Sequence, residues 1–199
     1  MKRLLFDVST NVMFVGYSKG DILIDFSIRI ATRDHAKYLV DRIDQVLRRN
    51  KIKIDDIQEI IIGYGPGSYT GLRIAVTVGK MLAYTKQITL RTVSSLYFMT
   101  SGYEGKVVAL IDARRGHVFS AVYKNGKVIL PDGYRRLSDL SELPEYKLAR
   151  TVFIDDRHFE INPKRIIEHS TIVDNIDDLT PNYLRRTEAE TLHDQKSNT

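Results

Sequence analysis

The order in which β-strand and helix periodicities alternate constrains the fold more than any other feature of this sequence. Three β-rich runs come first, at Leu4–Asp7, Val12–Tyr17 and Ile22–Ile30, and short polar segments that favour tight turns separate them. Apolar residues then recur at spacings of three and four from Asp34 to Asn50. The sequence therefore predicts a three-stranded meander followed by an amphipathic helix.

The next segment has the pattern of a βαβ unit. It predicts a strand at Glu59–Gly63, a glycine-rich loop at Gly65–Gly71, a helix at about Leu72–Tyr84, a strand at Ile88–Val93 and a short helix at Ser94–Thr100. The two strands of such a unit are parallel and joined by a right-handed crossover. We therefore expect the antiparallel meander to continue into a parallel extension.

A second meander follows, with predicted strands at Val107–Ile111, Val118–Tyr123 and Lys127–Leu130. A meander followed by a helix and parallel strands is the organisation of the α/β fold shared by actin, sugar kinases and heat-shock ATPases (the ASKHA, ribonuclease H-like fold). We expect an N-terminal lobe at residues 1–104, an abbreviated second lobe at 105–186 and a disordered tail at 187–199.

Composition limits the classes to which the chain can belong. The chain has 199 residues, 43% of them hydrophobic and 28% charged, as in an ordinary globular protein. Cysteine is absent, so the sequence offers no disulfide and no thiolate ligand, and nothing favours an oxidising compartment. No stretch has the length of a signal-peptide core or a membrane span, so a cytoplasmic location is expected. The net charge of +5 is spread along the chain, which favours only weak or indirect contact with tRNA.

Two segments invite comparison with phosphate-binding sites. Asp7, Ser9 and Thr10 lie at the turn between the first two strands, where an actin-like ATPase places a carboxylate for metal-bound water. This turn has no glycine to let its backbone approach a ligand, so side-chain hydrogen bonds that stabilise the turn are the alternative. Asp112 would be a further magnesium or phosphate ligand in an actin-like ATPase or phosphotransferase.

The glycine-rich loop is the second such segment. Its residues Gly65, Gly67, Ser68 and Thr70 precede a helix, whose free amides would suit an anion. The loop lacks the Gly-Lys-Ser/Thr ending of a P-loop and the spacing of a dinucleotide fingerprint. A strand-to-helix turn capped by Ser68 or Thr70 explains the pattern equally well.

Small residues recur every four positions in the predicted second helix, which gives it a smooth stripe that another helix could approach closely. The members of the stripe are Gly71, Ala75, Gly79 and Ala83. The remaining faces are also apolar, so this helix is either wholly buried or half of an interface.

The sequence shows no catalytic constellation. Its five histidines include no pair at a spacing of three or four, and it has no Gly-x-Ser-x-Gly elbow. We therefore assign no catalytic residue and no metal ligand, and a peptidase activity is not supported. A metallopeptidase, the third alternative, would contain a bound metal.

Five ordered motifs resemble the TsaB (YeaZ) proteins of bacterial threonylcarbamoyladenosine synthesis. They are Asp7-Val8-Ser9-Thr10, Gly65-Pro66-Gly67-Ser68-Tyr69-Thr70-Gly71-Leu72-Arg73-Ile74, Val93-Ser94-Ser95-Leu96, Asp112-Ala113-Arg114-Arg115-Gly116 and Pro181-Asn182-Tyr183-Leu184-Arg185. The second motif is the most specific, with Tyr69 where the family has Phe. The family also carries an older glycoprotease label, which no residue pattern here supports.

The resemblance implies a non-catalytic subunit that pairs with the larger paralogue TsaD, and through it with the ATPase TsaE, to modify the adenosine beside the tRNA anticodon. ATP and magnesium would be used by the complex, while this chain would bind no cofactor or only a nucleotide weakly. TsaD holds its metal with a His-x-x-x-His motif, and the corresponding stretch here offers Ser95 and Met99.

The family pairs through its first two long helices, so the resemblance favours an interface over complete burial. In the absence of TsaD the same surface should permit a homodimer. A charge placed at Ala75 or Gly79 is expected to abolish pairing and leave the monomer folded. The residues expected at the interface are His35, Leu39, Ile43, Val46, Gly71, Leu72, Ala75, Val76, Gly79, Leu82 and Ala83.

Overall fold

The computed structural model describes residues 1–31 and 35–184. The predicted disordered tail at 187–199 lies outside the described residues, as does Arg185 of the last motif. The elements of the first half are β1 (Lys2–Asp7), β2 (Val12–Lys19), β3 (Ile22–Ile30), α1 (His35–Arg49), β4 (Glu59–Gly63), α2 (Tyr69–Lys86), β5 (Thr89–Val93) and α3 (Ser95–Thr100). The elements of the second half are β6 (Lys106–Asp112), β7 (His117–Lys124), β8 (Lys127–Arg136), α4 (Leu137–Glu142), β9 (Arg150–Phe153), α5 (Pro163–His169) and β10 (Thr171–Ile172).

Two sheets repeat one strand order. In the first sheet the order is β10-β5-β4-β1-β2-β3, with β1, β2 and β3 antiparallel and with β4 parallel to both β1 and β5. In the second sheet the order is β8-β7-β6-β9, with an antiparallel meander and β9 parallel to β6. The molecule is therefore a mixed α/β protein in which a meander plus a parallel strand occurs twice, and this fits a two-lobed ASKHA-like fold.

Most element boundaries lie within about two residues of those that the sequence predicts, and two differ by more. Helix α2 begins at Tyr69 and not near Leu72, because the Ser68 hydroxyl caps it by accepting a hydrogen bond from the Gly71 amide at 3.3 Å. Strand β8 continues to Arg136 and not to Leu130. Its register shifts between the pairs Val122–Leu130 and Ser120–Gly133, and this bulge lets a strand continue through a proline.

The first sheet is covered on both faces. Helices α1 and α2 pack on one face around buried residues such as Leu39, Ala75 and Ile60. The other face packs on α3, all six residues of which are buried, and through α3 on the second sheet. Side chains of both sheets, for example those of Phe14 and Phe119, belong to that one core. The two sheets therefore stabilise each other.

The C-terminal part of the chain returns to the first sheet. Strand β10 pairs with β5, the Val173 amide donates to the Leu90 carbonyl at 2.9 Å, and the Asn182 amide donates to the Tyr64 carbonyl at 2.8 Å. These contacts are long-range, so no local pattern in the sequence signals them. The last described part of the predicted second lobe (105–186) therefore packs on the first sheet.

Arg91 of β5 holds this returning segment. Its guanidinium donates to the Ser170 hydroxyl and to the Ser170 carbonyl, both at 2.7 Å, and lies 3.6 Å from the carboxylate of Glu59. Glu59 is buried and also forms an ion pair with Arg3. Loss of one member of a half-buried network of this kind lowers stability more than loss of an exposed ion pair, because water cannot replace the missing partner.

We expect Arg91→Ala to lower the free energy of unfolding by about 2 kcal/mol, because it leaves a buried carboxylate and a carbonyl short of donors. Urea unfolding measures the change. Arg48→Ala is the matched control, since Arg48 is exposed and pairs only with Asp44 one turn away, a contact that contributes roughly 0.5 kcal/mol at most. Equal losses in the two variants would show that the Arg91 network does not anchor the C-terminal segment.

Candidate functional site

The glycine-rich loop lies where the parallel strands β1, β4 and β5 end. Its backbone amides have partners within the chain. The Ser68 amide donates to the Ser9 carbonyl at 2.6 Å, and the Gly65 amide donates to the Ser95 hydroxyl at 3.1 Å. The Gly71 amide is likewise bound to the Ser68 hydroxyl, so three amides of the loop and the helix start have partners within the chain.

Because two residues of this loop are glycines, the backbone of the loop packs directly against the backbone of the β1–β2 turn. A Cβ atom on Gly71 would overlap the carbonyl oxygen of Val8, and one on Gly67 would overlap the backbone of Ser9. Gly67 also has a φ of +156°, which side-chain-bearing residues rarely adopt. In this structure the missing side chains therefore make room for the protein's own backbone.

Asp7 lies beneath the same loop and is completely buried. Its Oδ1 accepts hydrogen bonds from the Ser9 amide at 2.8 Å and the Ser9 hydroxyl at 2.6 Å. Its Oδ2 has no partner with good hydrogen-bond geometry, although Ser95 is near enough to affect it. Burial raises the pKa of Asp7 above its ordinary value, while hydrogen bonds from Ser9 and Ser95 act in the opposite direction.

The other residues predicted to bind phosphate have turn contacts. The Thr10 hydroxyl accepts from the Val12 amide at 3.0 Å, and Thr70 is exposed in the first turn of α2. Asp112 ends β6 in the second sheet, where its Oδ1 accepts from the Arg114 amide at 2.9 Å. That hairpin places Arg114, Arg115 and Gly116 at positive φ, so the Asp-Ala-Arg-Arg-Gly motif forms a tight turn.

Four of the five sequence motifs meet at the glycine loop. The Ser95 amide of the third motif donates to the Gly65 carbonyl at 2.7 Å. In the last motif, the Tyr183 ring stacks on Tyr69 at 4.5 Å between centroids, while a Cβ atom on Gly65 would overlap the Asn182 carbonyl. The motifs therefore form a tightly packed junction between distant parts of the chain.

Most of the helix residues predicted at a partner interface are buried within this chain. Of the eleven, all but Leu82 are buried, and Leu82 is half-buried. A Cβ atom on Gly79 would lie 3.2 Å from Ile62. An amphipathic helix turns its most apolar stripe toward the nearest sheet, so this stripe fills the core. A charge at Ala75 or Gly79 would therefore disrupt folding and would not test pairing.

A second apolar stripe remains on the outer side of the two helices. Val40 of α1 and Met81 of α2 are 50% and 48% exposed, and Ile74 and Val78 of α2 are half-buried. Residues 74, 78 and 82 share one side of α2 because they recur every four positions. The sequence contains this signal in the apolar residues between the small ones, but only the packing shows which stripe faces outward.

Among residues 1–31 and 35–184, the structure shows no group of three or more His, Asp or Glu side chains that could hold a metal ion. Within the same residues, no helix has the length and apolar character needed to cross a membrane.

Fold and site together define a two-sheet α/β protein of ASKHA-like strand order, in which the loop at the strand ends is packed with the protein's own backbone. Residues 29–162 match the model of the family described as "TsaD: tRNA N6-adenosine threonylcarbamoyltransferase". A solved structure described as YeaZ from Pseudomonas aeruginosa has a TM-score of 0.70 at 20% identity, covering 92% of this chain and 99% of that one. A second P. aeruginosa structure, described as an uncharacterized protein with similarity to peptidase YeaZ, has a TM-score of 0.75 at 22% identity with the same coverage.

Curated relatives identify the family. The Bacillus subtilis protein named tRNA threonylcarbamoyladenosine biosynthesis protein TsaB is 30% identical over 161 residues, which cover 77% of this chain and 70% of the relative. The Escherichia coli protein of the same name is 30% identical over 130 residues, which cover 62% of this chain and 55% of that relative. The chain belongs to the TsaB/YeaZ family.

The close approach of α2 to the β1–β2 turn can be tested by adding one methyl group. We expect Gly71→Ala to lower the free energy of unfolding by roughly 2–3 kcal/mol, because its Cβ would overlap the Val8 carbonyl. Gly79→Ala in the same helix is the matched control, since it meets only side-chain atoms and gains about 1 kcal/mol of helix propensity. Urea unfolding of both variants provides the comparison, and similar stabilities would contradict the packing described here.

The burial of Asp7 predicts a dependence of stability on pH. Because its pKa is raised in the fold, ionisation opposes folding, and this penalty is absent below the ordinary value of 3.8 and complete above the raised value. We therefore expect Asp7→Asn to be more stable than the parent at pH 7, with a difference that narrows as the pH falls toward 3.8. Asp21→Asn, at an exposed turn, is the matched control. If the difference in stability between Asp7→Asn and the parent did not change with pH, the buried charge of Asp7 would not be the cause of that difference.

Proposed function

We propose that this chain is a non-catalytic subunit in the biosynthesis of threonylcarbamoyladenosine in tRNA, and that it activates a TsaD-type paralogue by pairing with it. The names of its curated relatives support the pathway. The observation that supports the role is the outward apolar stripe on α1 and α2, beside a glycine loop in which the Gly65, Ser68 and Gly71 amides have partners within the chain. In this proposal the adenosine chemistry belongs to the paralogue.

The physical argument for pairing begins with the exposed apolar stripe. Val40 and Met81 are each about half exposed on neighbouring helices, and Tyr84 at the end of α2 is 65% exposed. Large apolar side chains grouped on one face favour association because burial removes their surface from water. A paralogue of the same fold would present a similar helix pair, and two such pairs form a four-helix contact. Without the paralogue, the same stripe would support a homodimer.

The loop geometry supports an accessory role over an actin-like ATPase or phosphotransferase. An enzyme of that kind needs free amides for the phosphates and a carboxylate that can reach a metal-bound water. Here the Ser68 and Gly65 amides have partners, and Asp7 Oδ1 is bound twice by Ser9. In the proposal, ATP, magnesium and a TsaE-type ATPase act through the complex, and contact of this chain with tRNA is indirect or weak.

Size-exclusion chromatography with light scattering tests the proposal, with this protein alone and mixed with the TsaD-type paralogue of the same cell. We expect a stable heteromer to replace a homodimer. If the two proteins do not associate in the presence of ATP and magnesium, the accessory-subunit proposal fails. A magnesium-dependent ATP turnover that Asp7→Asn abolishes would then establish the phosphotransferase alternative.

Two charge substitutions locate the interface. We expect Val40→Glu and Met81→Glu each to weaken pairing at least about 100-fold, close to 3 kcal/mol, because a carboxylate would be buried without a partner. Both side chains are half exposed, so the monomers should keep their fold. Leu148→Glu is the matched control, at a fully exposed leucine of the second half. Unchanged pairing in the two helix variants would place the interface elsewhere.

A further inference from the structure

A cavity of about 320 Å³ lies where the two sheets and the returning C-terminal segment meet. Val93 and Ser94 at the end of β5 form one wall, Tyr123 and Val128 of the second sheet form another, and Leu184 borders it from the C-terminal segment. Its volume is at the lower end of the range for small-molecule sites, and most of its lining is apolar. The third and the last of the five sequence motifs contribute Val93, Ser94, Asn182 and Leu184 to its lining.

Asp132 is the only acidic residue among the described residues that line the cavity. Its Oδ1 accepts hydrogen bonds from the Ser94 hydroxyl at 3.0 Å and from the Tyr123 hydroxyl at 3.3 Å. Both donors are neutral, and no described cation forms an ion pair with this carboxylate. Arg135, three residues later, donates instead to Ser120 and to the Pro131 carbonyl.

The local backbone aims Asp132 at the cavity. Between the pairs Ser120–Gly133 and Val122–Leu130, one residue of β7 faces two of β8, Pro131 and Asp132. Such a bulge re-aims a side chain, and bulges are over-represented beside functional sites. The bulge brings the carboxylate within reach of Ser94, the N-cap residue of α3 just after β5. The sequence predicts that this strand ends at Leu130, whereas Asp132 lies within β8 (Lys127–Arg136).

Aromatic side chains and Asn182 form the rest of the polar lining. The Tyr97 ring lies 4.9 Å from that of Tyr123 and 4.1 Å from that of His169. The Tyr97 hydroxyl is buried without a hydrogen-bond partner. No Lys or Arg is among the described residues that line the cavity, so it offers no cation to a phosphate or a carboxylate.

We propose that this cavity binds a small organic ammonium ion with an apolar body, with the charged nitrogen on Asp132. The aromatic rings of Tyr97 and Tyr123 then contact the body or the face of the cation, an arrangement that favours ammonium groups. A carboxylate in a largely apolar cavity is best matched by an opposite charge. The same lining disfavours anions, because an anion would meet the negative charge of Asp132 and no Lys or Arg among the described lining residues.

The electrostatics of Asp132 agree with this assignment. Burial raises the pKa of Asp132, and the hydrogen bonds from Ser94 and Tyr123 and the charge of Arg135 only partly oppose that effect. The ionised carboxylate is therefore stabilised less here than it would be in water. A bound ammonium ion would supply the missing stabilisation, and the geometry of the bulge leaves the carboxylate at the cavity wall to receive it.

Three probes of one shape test the proposal by titration calorimetry on the full chain: benzylamine, benzyl alcohol and benzoate. We expect benzylamine to bind at least about tenfold more tightly than benzyl alcohol, and benzoate not to bind. Asp132→Asn keeps an oxygen that can accept the hydrogen bonds from Ser94 and Tyr123, but it removes the negative charge. It should weaken benzylamine binding at least about tenfold. Asp174→Asn, at an exposed site, is the matched control and should leave binding unchanged.

A second variant covers the case in which Asp132→Asn does not fold. Val128 is 53% exposed at the rim, so Val128→Trp should fold and should reduce benzylamine binding by filling the cavity. Equal binding of benzylamine and benzyl alcohol would overturn the proposal, as would benzylamine binding that neither variant affects. Tighter binding of adenosine than of benzylamine would show that the cavity selects a neutral base, which also overturns it.

Discussion

The close packing of the glycine loop against the β1–β2 turn is the constraint on which the rest of the structure depends. Gly71 and Gly67 bring a helix start to within van der Waals distance of the Val8 and Ser9 backbones, a distance that any side chain would prevent. This contact fixes the start of α2 relative to β1. The position of α2 in turn decides which of its apolar stripes faces the sheet and which faces outward.

The same junction connects segments that are far apart in the sequence. Ser95 of α3 and Asn182 near the end of the described chain both bind to the loop, so its geometry links the first sheet, the central helix and the returning C-terminal segment. The cost of burying backbone groups at this junction is partly offset because the Gly65, Ser68 and Ser95 amides find hydrogen-bond partners. The side chain of Asp7 keeps one carboxylate oxygen without a well-aligned partner.

The order of elements could be predicted from the sequence. Strand and helix periods in the first 136 residues gave β1 to β8 and α1 to α3 with shifts of a few residues, because alternation and capping are local properties. The sequence predicts the short elements after Leu137 less well, because β9 and β10 depend on partner strands more than 40 residues away. Family membership was also accessible, because the motifs are short and ordered.

By itself, the sequence determined that the chain forms two meanders with parallel extensions and belongs to the TsaB/YeaZ family. Only the tertiary structure decided how the glycines and the small-residue stripe are used, and both serve internal packing. It also decided that Val40 and Met81 face outward and that a bulge carries Asp132 to the opposite sheet. The physical reason is that local periods identify apolar faces, whereas the partner of each face is chosen by competition among surfaces across the whole chain.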